Sequence, residues 1–197
     1  LDLARALLAS AGWEAGPDGV LRRGNSELRF TLVTADEPVW TGIARELAAA
    51  WEQIGVRATV APTGQQTLLD EFVNPRRYEA VLLGWDPGLD PDPFTAWHSS
   101  LRGQPGGNPS NFADEETDAL LVEGRVLGDD VARQERYIAF QQRFRELSPS
   151  IILFTETVRY AVREGFHLSL PAAAADPGDR FADVRRWYVN TRRGPSP

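Results

Sequence analysis

The chain has 197 residues, of which 42% are hydrophobic and 25% are charged, a composition typical of globular proteins. Its formal net charge of −7 argues against a nucleic-acid-binding surface, which needs clustered positive charge. Cysteine is absent, which excludes disulfides, thiolate metal sites and thiol nucleophiles, and no apolar run approaches the roughly 18 residues that cross a bilayer.

The first half of the chain alternates between helix and strand patterns. Residues 2 to 11 have helical spacing that ends at Gly12, and PDG at 17 to 19 indicates a turn. The apolar spacing then predicts, in chain order, a strand at 28–32, a helix at 40–54, a strand at 56–60, a helix at 68–73 and a strand buried on both faces at 80–84. This order predicts an α/β fold with a central, largely parallel sheet flanked by helices.

The second half begins with a connection rich in Gly, Pro and Asn, RGQPGGNPSNF at 102 to 112, which we expect to be irregular and mobile. Two helices follow at 115–127 and 131–147, the second capped by Asp129 or Asp130. The arginines of the second helix are expected to form a solvated face: Arg133, Arg136, Arg143 and Arg145. Beyond them, the sequence indicates a β-rich segment at 151–162, a linker of small residues, PAAAADPGD, and a last strand within RRWYVNT.

The segment GWDPGLDPDPFTAWHSS at 84 to 100 contains three aspartates, three prolines, two tryptophans and one of the two histidines. Proline has no backbone donor and disfavours helix in the residue before it, so this segment is predicted to be a loop. It follows the strand at 80–84, and TADEPVW at 34 to 40 follows the first parallel strand. Both segments should therefore lie at the carboxyl edge of the sheet, where ligands of such folds bind.

The aspartates and tryptophans of these two segments are the main candidates for a site. Asp86 and Asp90 are either turn-forming residues or anchors for a ligand, whereas Asp92, between two prolines, is interpreted as structural. The tryptophans are either core residues or platforms for a ligand: Trp40, Trp85 and Trp97. A calcium loop does not fit, because prolines interrupt the ligand spacing.

Three further residues are candidates to line the ligand site: His98, Thr155 and Glu156. His98 is interpreted as a hydrogen-bonded loop residue near the candidate site, because a metal would need partners and His167 is the only other imidazole. Its neighbours Ser99 and Ser100 lack the context of a catalytic triad. Thr155 and Glu156 follow IILF and are candidates to line a cleft. No catalytic residue, metal site or cofactor is predicted.

Several segments occur together in one order: ALLASAGW with PDGVLRRG, IARELAAAWEQIGVRATV, YEAVLLGWDPGLDPDPFTAWHSS, NPSNFADEETDALLVEGR, and ERYIAFQQRFRELSPSIILF with RYAV. This order resembles the carboxyl-terminal lobe of the extracellular solute-binding proteins that serve dipeptide, oligopeptide and nickel ABC importers. The resemblance implies a periplasmic-binding-protein-like lobe of type II at residues 1–170. It also implies that residues 171–197 form a linker and crossover segment toward an amino-terminal lobe, which we expect to be missing from this chain.

The resemblance further implies capture of a peptide or similar small solute by cleft closure, without chemistry or cofactor, and its delivery to ABC permease subunits. The expected location is extracytoplasmic, with a lipoprotein anchor on the full-length protein. Many members carry an aspartate two or three residues after the tryptophan, where it pairs with a peptide's amino terminus. Here Asp86 follows Trp85 directly, so Asp86 or Asp90 would serve, and Asp90 is preferred because a kink at Gly88 would turn it inward.

Two functions from other classes stay open at this point. A hydrolase could use a pair of loop carboxylates, which need to lie about 5 to 9 Å apart. A ligand-free interaction scaffold is the other, because binding folds are reused for other purposes. Whether the solute is a peptide or a nickel complex is also open.

Overall fold

The computed structural model describes residues 1–86, 88, 90, 92–155, 159–170 and 177–190. The chain begins with helix α1 (Asp2–Ser10), and Gly12 follows it with a φ of +82°, a conformation that suits glycine. Three short strands then form an antiparallel sheet: β1 (Glu14–Ala15), β2 (Leu21–Arg23) and β3 (Ser26–Glu27). The first predicted helix and the turn at residues 17 to 19 are confirmed.

The parallel sheet follows. Strand β4 (Arg29–Ala35) leads into helix α2 (Pro38–Glu52) and strand β5 (Arg57–Thr63). A short helix, α3 (Gln65–Thr67), continues as a π-helical turn at Leu68–Val73 and precedes strand β6 (Ala80–Val81). The sheet order is β5-β4-β6, and both pairings are parallel, so the predicted β-α-β-α-β arrangement is confirmed. The third strand is shorter than the predicted 80–84.

The two faces of β4 explain why it lies in the centre of the sheet. Val33 and Ala35 point to one face, where they pack with residues of the turn at Leu68–Val73. Leu32 points to the other face and packs with Ala44 of α2. Residues 32 to 35 are all buried, as expected for a parallel strand that is covered on both sides.

The second half is mainly helical. Helix α4 (Phe94–Trp97) and a 3₁₀ turn at Ser99–Leu101 precede α5 (Glu115–Val126) and α6 (Asp130–Leu147). The side chains of Asp114 and Asp129 accept backbone hydrogen bonds at the amino ends of α5 and α6, so both predicted helices and the cap at Asp129 are confirmed. Their core consists of Leu121, Phe140 and Phe144. Leu147, the last residue of α6, lies outside this core and is 40% exposed.

The connection at 102 to 112 is irregular, as predicted, but it is held by specific hydrogen bonds rather than loosely attached. Asn108 is completely buried and donates to the carbonyls of His98 (3.1 Å) and Phe112 (2.8 Å). The amide of Phe112 donates back to Asn108 Oδ1 over 3.0 Å. One amide side chain therefore joins α4 to the segment before α5.

The last part of the chain differs from the prediction. Residues 151–155 and 159–162 form no strand and are largely exposed, so the predicted β-rich segment is wrong for these residues, and Glu156 lies outside the described residues. Strand β7 (Phe166–His167) pairs antiparallel with β8 (Tyr188–Val189), so the predicted last strand finds its partner within this chain. Residues 171–176 and 191–197 of the predicted linker and crossover lie outside the described residues. No helix in the described ranges is long and apolar enough to cross a membrane.

Candidate ligand-binding site

The carboxyl ends of the three parallel strands meet at one edge of the sheet. The amide of Asp36, just after β4, donates to the carbonyl of Thr63 at the end of β5 over 2.8 Å. On the other side, the amide of Leu82, just after β6, donates to the carbonyl of Val33 over 2.9 Å. The buried hydroxyl of Thr34 donates to the carbonyl of Leu82 over 3.2 Å. These bonds bring the segments after β4 and β6 to the same edge, as the sequence predicts.

Trp40 lies directly against the chain where it leaves β6. Carbons Cη2 and Cζ2 of its indole are each 3.1 Å from the point that a Cβ at Gly84 would occupy. Glycine at this position therefore permits the close approach of the indole to the backbone. Trp40 is partly buried between the two core clusters of the sheet, whereas Trp85, the next residue after Gly84, is 53% exposed.

The segment that follows Gly84 is described at residues 85, 86, 88, 90, 92 and 93, and we call these residues the aspartate loop. Asp86 is exposed and accepts a hydrogen bond of 2.8 Å from the amide of Gly88, which has a φ of +67°. This is a turn interaction that uses one carboxylate oxygen. In the described part of the chain, Asp86 has no cationic partner.

Asp90 and Asp92 point in another direction. Asp90 forms an ion pair with Arg133 of α6, and Asp92 forms one of 2.8 Å with Arg125 of α5. Asp92 also accepts from the amide of Phe94 over 3.0 Å, in agreement with the structural role predicted for it. The kink at Gly88 is present, but the carboxylate of Asp90 faces α6 instead of turning toward the sheet edge.

Trp97 and His98 pack toward α5 and α6. Trp97 lies edge-on to Phe144, with ring centroids 4.6 Å apart, and His98 stacks on Phe94 at 4.1 Å. Nδ1 of His98 contacts the hydroxyl of Ser100 (2.8 Å) and lies 4.0 Å from Asp118. A catalytic triad would place the serine and the acid on different ring nitrogens, so this arrangement is not one.

Thr155 is exposed and lies in the segment after α6. His167 stacks on Tyr188 in the β7–β8 pair, with centroids 4.5 Å apart. Among the described residues, no group of three or more His, Asp or Glu side chains could hold a metal ion. Of the candidates from the sequence, the structure thus brings Trp40, Trp85 and Asp86 to one edge and places Trp97 and His98 elsewhere.

The structure also assigns roles to residues that the sequence analysis treated as a solvated face. Arg133 contacts Asp90, and the hydrogen bond to Asp90 raises the pKa of Arg133. Arg143 donates to both carboxylate oxygens of Asp114, over 2.8 and 3.1 Å, and these bonds hold the pKa of Asp114 well below its usual range. The prediction of a solvated face is therefore wrong for Arg133 and Arg143.

The parallel sheet, its covering helices and the exposed edge are those of a type II periplasmic-binding-protein-like fold, which confirms the predicted fold class. The model of the bacterial extracellular solute-binding proteins, family 5 (Middle), matches residues 1–108, more than half of the chain. The chain belongs to this family.

Three similar proteins illustrate the relationship. Protein XP55 of Streptomyces lividans is 29% identical over 147 residues, which are 72% of this chain and 26% of XP55. NikZ from Campylobacter jejuni in complex with Ni(L-His) is 25% identical with a TM-score of 0.68 over 75% of this chain and 30% of NikZ. AppA from Bacillus subtilis in complex with a nonapeptide is 22% identical with a TM-score of 0.72 over 96% of this chain and 37% of AppA. The chain therefore spans about a quarter of the length of XP55.

Proposed function

We propose that residues 1–170 form one lobe of a two-lobed protein that captures a solute outside the cytoplasm and delivers it to ABC permease subunits. Membership in the solute-binding family supports the class. The cleft would close over the carboxyl edge of the sheet, with residues 171–197 as the linker and crossover to the second lobe. A ligand that contacts both lobes selects the closed form, because it binds that form more tightly.

The observation that carries this proposal is the grouping of Trp85 and Asp86 at that edge. An exposed indole gives an apolar surface that accepts varied side chains. The exposed carboxylate of Asp86 can accept a charge-assisted hydrogen bond from an ammonium group. Together they suit a peptide with a free amino terminus. Asp86 is a better anchor than Asp90, because Arg133 already neutralises Asp90.

The proposal involves no chemistry. A glycoside hydrolase needs two carboxylates that face one substrate. Here the carboxylates of Asp90 and Asp92 face arginines on two different helices, and Asp86 accepts a backbone hydrogen bond. This arrangement supports a binding role over the hydrolase that the sequence left open.

The test is isothermal titration calorimetry on the complete gene product, with trialanine and its N-acetylated form. A charge-assisted bond in a closed cleft contributes about 1.5 to 3 kcal/mol, so Asp86→Asn should weaken trialanine binding about ten- to a hundredfold. The acetylated peptide should bind the variant and the wild type equally, because it presents no charge to Asp86.

Asp2→Asn is the matched control, because it also removes one carboxylate charge, but from α1 instead of the aspartate loop. Arg5 of α1 donates to the carbonyl of Gln53 at the end of α2, which places α1 at the opposite edge of the sheet. The control should bind like the wild type. Failure of the wild type to bind any free-amine peptide would contradict the proposed ligand class, and unchanged binding by Asp86→Asn would contradict the anchor.

A further inference from the structure

Arg125 of α5 holds the end of the aspartate loop that is nearer to α4. Its Nε lies 2.8 Å from Oδ2 of Asp92, whose side chain is only 18% exposed. Its guanidinium also lies 4.2 Å from the ring centroid of Phe94, the residue whose amide donates to Asp92. Arg125 therefore contacts both residues that are joined by this turn.

Arg133 of α6 holds the middle of the loop and is itself held from several sides. Besides its ion pair with Asp90, it donates from Nε to the carbonyl of Gly124 (3.1 Å) and from Nη2 to the hydroxyl of Tyr137 (3.3 Å). Its guanidinium lies 5.1 Å from the ring centroid of Tyr137. Because the protein already fixes this side chain, its pairing with Asp90 costs little additional conformational entropy.

Asp86 stands apart from the other two aspartates. Asp90 and Asp92 form ion pairs with arginines. The carboxylate of Asp86 accepts a hydrogen bond from the amide of Gly88 and has no cationic partner among the described residues. The loop contains three carboxylates, but two of them are neutralised locally. One negative charge is therefore left at the exposed edge beside Trp85.

We propose that Arg125 and Arg133 are positioning residues of the aspartate loop: they fix Asp92 and Asp90 against α5 and α6, and so leave Asp86 as its single uncompensated charge. This inference rests on the proposed function, and it adds a determinant of specificity. A loop with one free carboxylate favours ligands with one ammonium group near this edge. Removing the charge of Arg133 exposes a second carboxylate and should favour ligands with two.

The positioning role is tested without any ligand, by amide hydrogen exchange at Gly88, Asp90, Asp92 and Phe94 in the complete gene product. Arg125→Gln and Arg133→Gln should each accelerate exchange at these amides about two- to fivefold, the range expected for partly exposed ion pairs. Arg136→Gln is the matched control, because Arg136 also lies on α6 and pairs with Glu123 of α5, over 2.7 Å. Arg133→Lys keeps the charge and should restore slow exchange at Asp90 at least in part.

The specificity role is tested by titration with trialanine and with Lys-Ala-Ala. Arg133→Gln should raise the affinity for Lys-Ala-Ala relative to trialanine at least threefold, whereas Arg136→Gln and Arg133→Lys should leave this ratio as in the wild type. Unchanged exchange in both glutamine variants would overturn the positioning role, and an unchanged ratio in Arg133→Gln would overturn the specificity role. If the wild type bound neither peptide, the proposed function and this specificity role would fail together, and exchange would still decide the positioning role.

Discussion

Replacement of Gly124 by alanine tests how closely α5 and α6 pack. A Cβ at this position would lie 2.4 Å from Cε1 of Tyr137 and 3.0 Å from Cζ. Carbon atoms rest at about 3.5 to 4.0 Å, and Tyr137 is only 8% exposed, so the ring must move or the helices must separate. Overpacking of this kind costs about 1 to 3 kcal/mol, and alanine returns about 1 kcal/mol of helix propensity. We therefore expect the free energy of unfolding to fall by about 1 kcal/mol.

Urea unfolding followed by far-ultraviolet circular dichroism measures this change. Gly42→Ala in α2 is the matched control, because an added Cβ there meets no atom within 4 Å, and it should stabilise the protein by about 0.5 to 1 kcal/mol. In a Tyr137→Leu background the ring is gone, so Gly124→Ala should become neutral or stabilising. If Gly124→Ala in the natural background stabilised the protein as much as Gly42→Ala, the inferred contact between the helices would be refuted.

Two further predictions concern buried or capping polar groups. Asn still caps a helix, so Asp114→Asn removes mainly the charge that meets Arg143. Because the folded state lowers the pKa of Asp114, the stability lost in this variant should be greatest near neutral pH. It should begin to shrink as the pH falls below about 4, the unfolded pKa, and vanish only below the lowered pKa of folded Asp114; a difference in urea-derived stability that is constant with pH would contradict this. Asn108→Ala removes the donor to the partly buried carbonyl of Phe112 and the acceptor for the amide of Phe112, and it should lower the urea-derived stability by at least about 2 kcal/mol. A loss below about 0.5 kcal/mol, typical of surface positions, would contradict the role of Asn108.

The alternation of helix and strand could be predicted because it depends on local periodicity. The apolar residues of β4 and α2 repeat at the spacing of a strand and a helix, and a parallel order then fixes which ends of the strands share an edge. Trp40, Trp85 and Asp86 were placed at that edge by this rule alone. The same reasoning failed for residues 151–155, because β propensity forms a strand only where a neighbouring strand supplies hydrogen bonds.

The contacts of the aspartate loop could not be predicted. Asp90 and Arg133 are 43 residues apart, and an arginine on a helix rich in charged residues has the pattern of a solvated side chain. Trp97 and His98 follow the loop directly in sequence, but α4 turns both side chains toward α5 and α6. Proximity in sequence was therefore a poor guide to which side chains reach the sheet edge.

Forces of different kinds hold the two ends of the aspartate loop. At the end that leaves the sheet, a backbone hydrogen bond joins Leu82 to Val33 and the indole of Trp40 packs on Gly84. In the middle and at the other end, the contacts are ion pairs with Arg133 and Arg125. The Debye length is about 8 Å at physiological ionic strength and about 3 Å at 1 M, so molar salt weakens ion pairs at contact distance but leaves hydrogen bonds within a sheet and aromatic packing almost unchanged. High ionic strength should therefore loosen the loop where its aspartates pair with α5 and α6, while its attachment to the sheet stays unchanged.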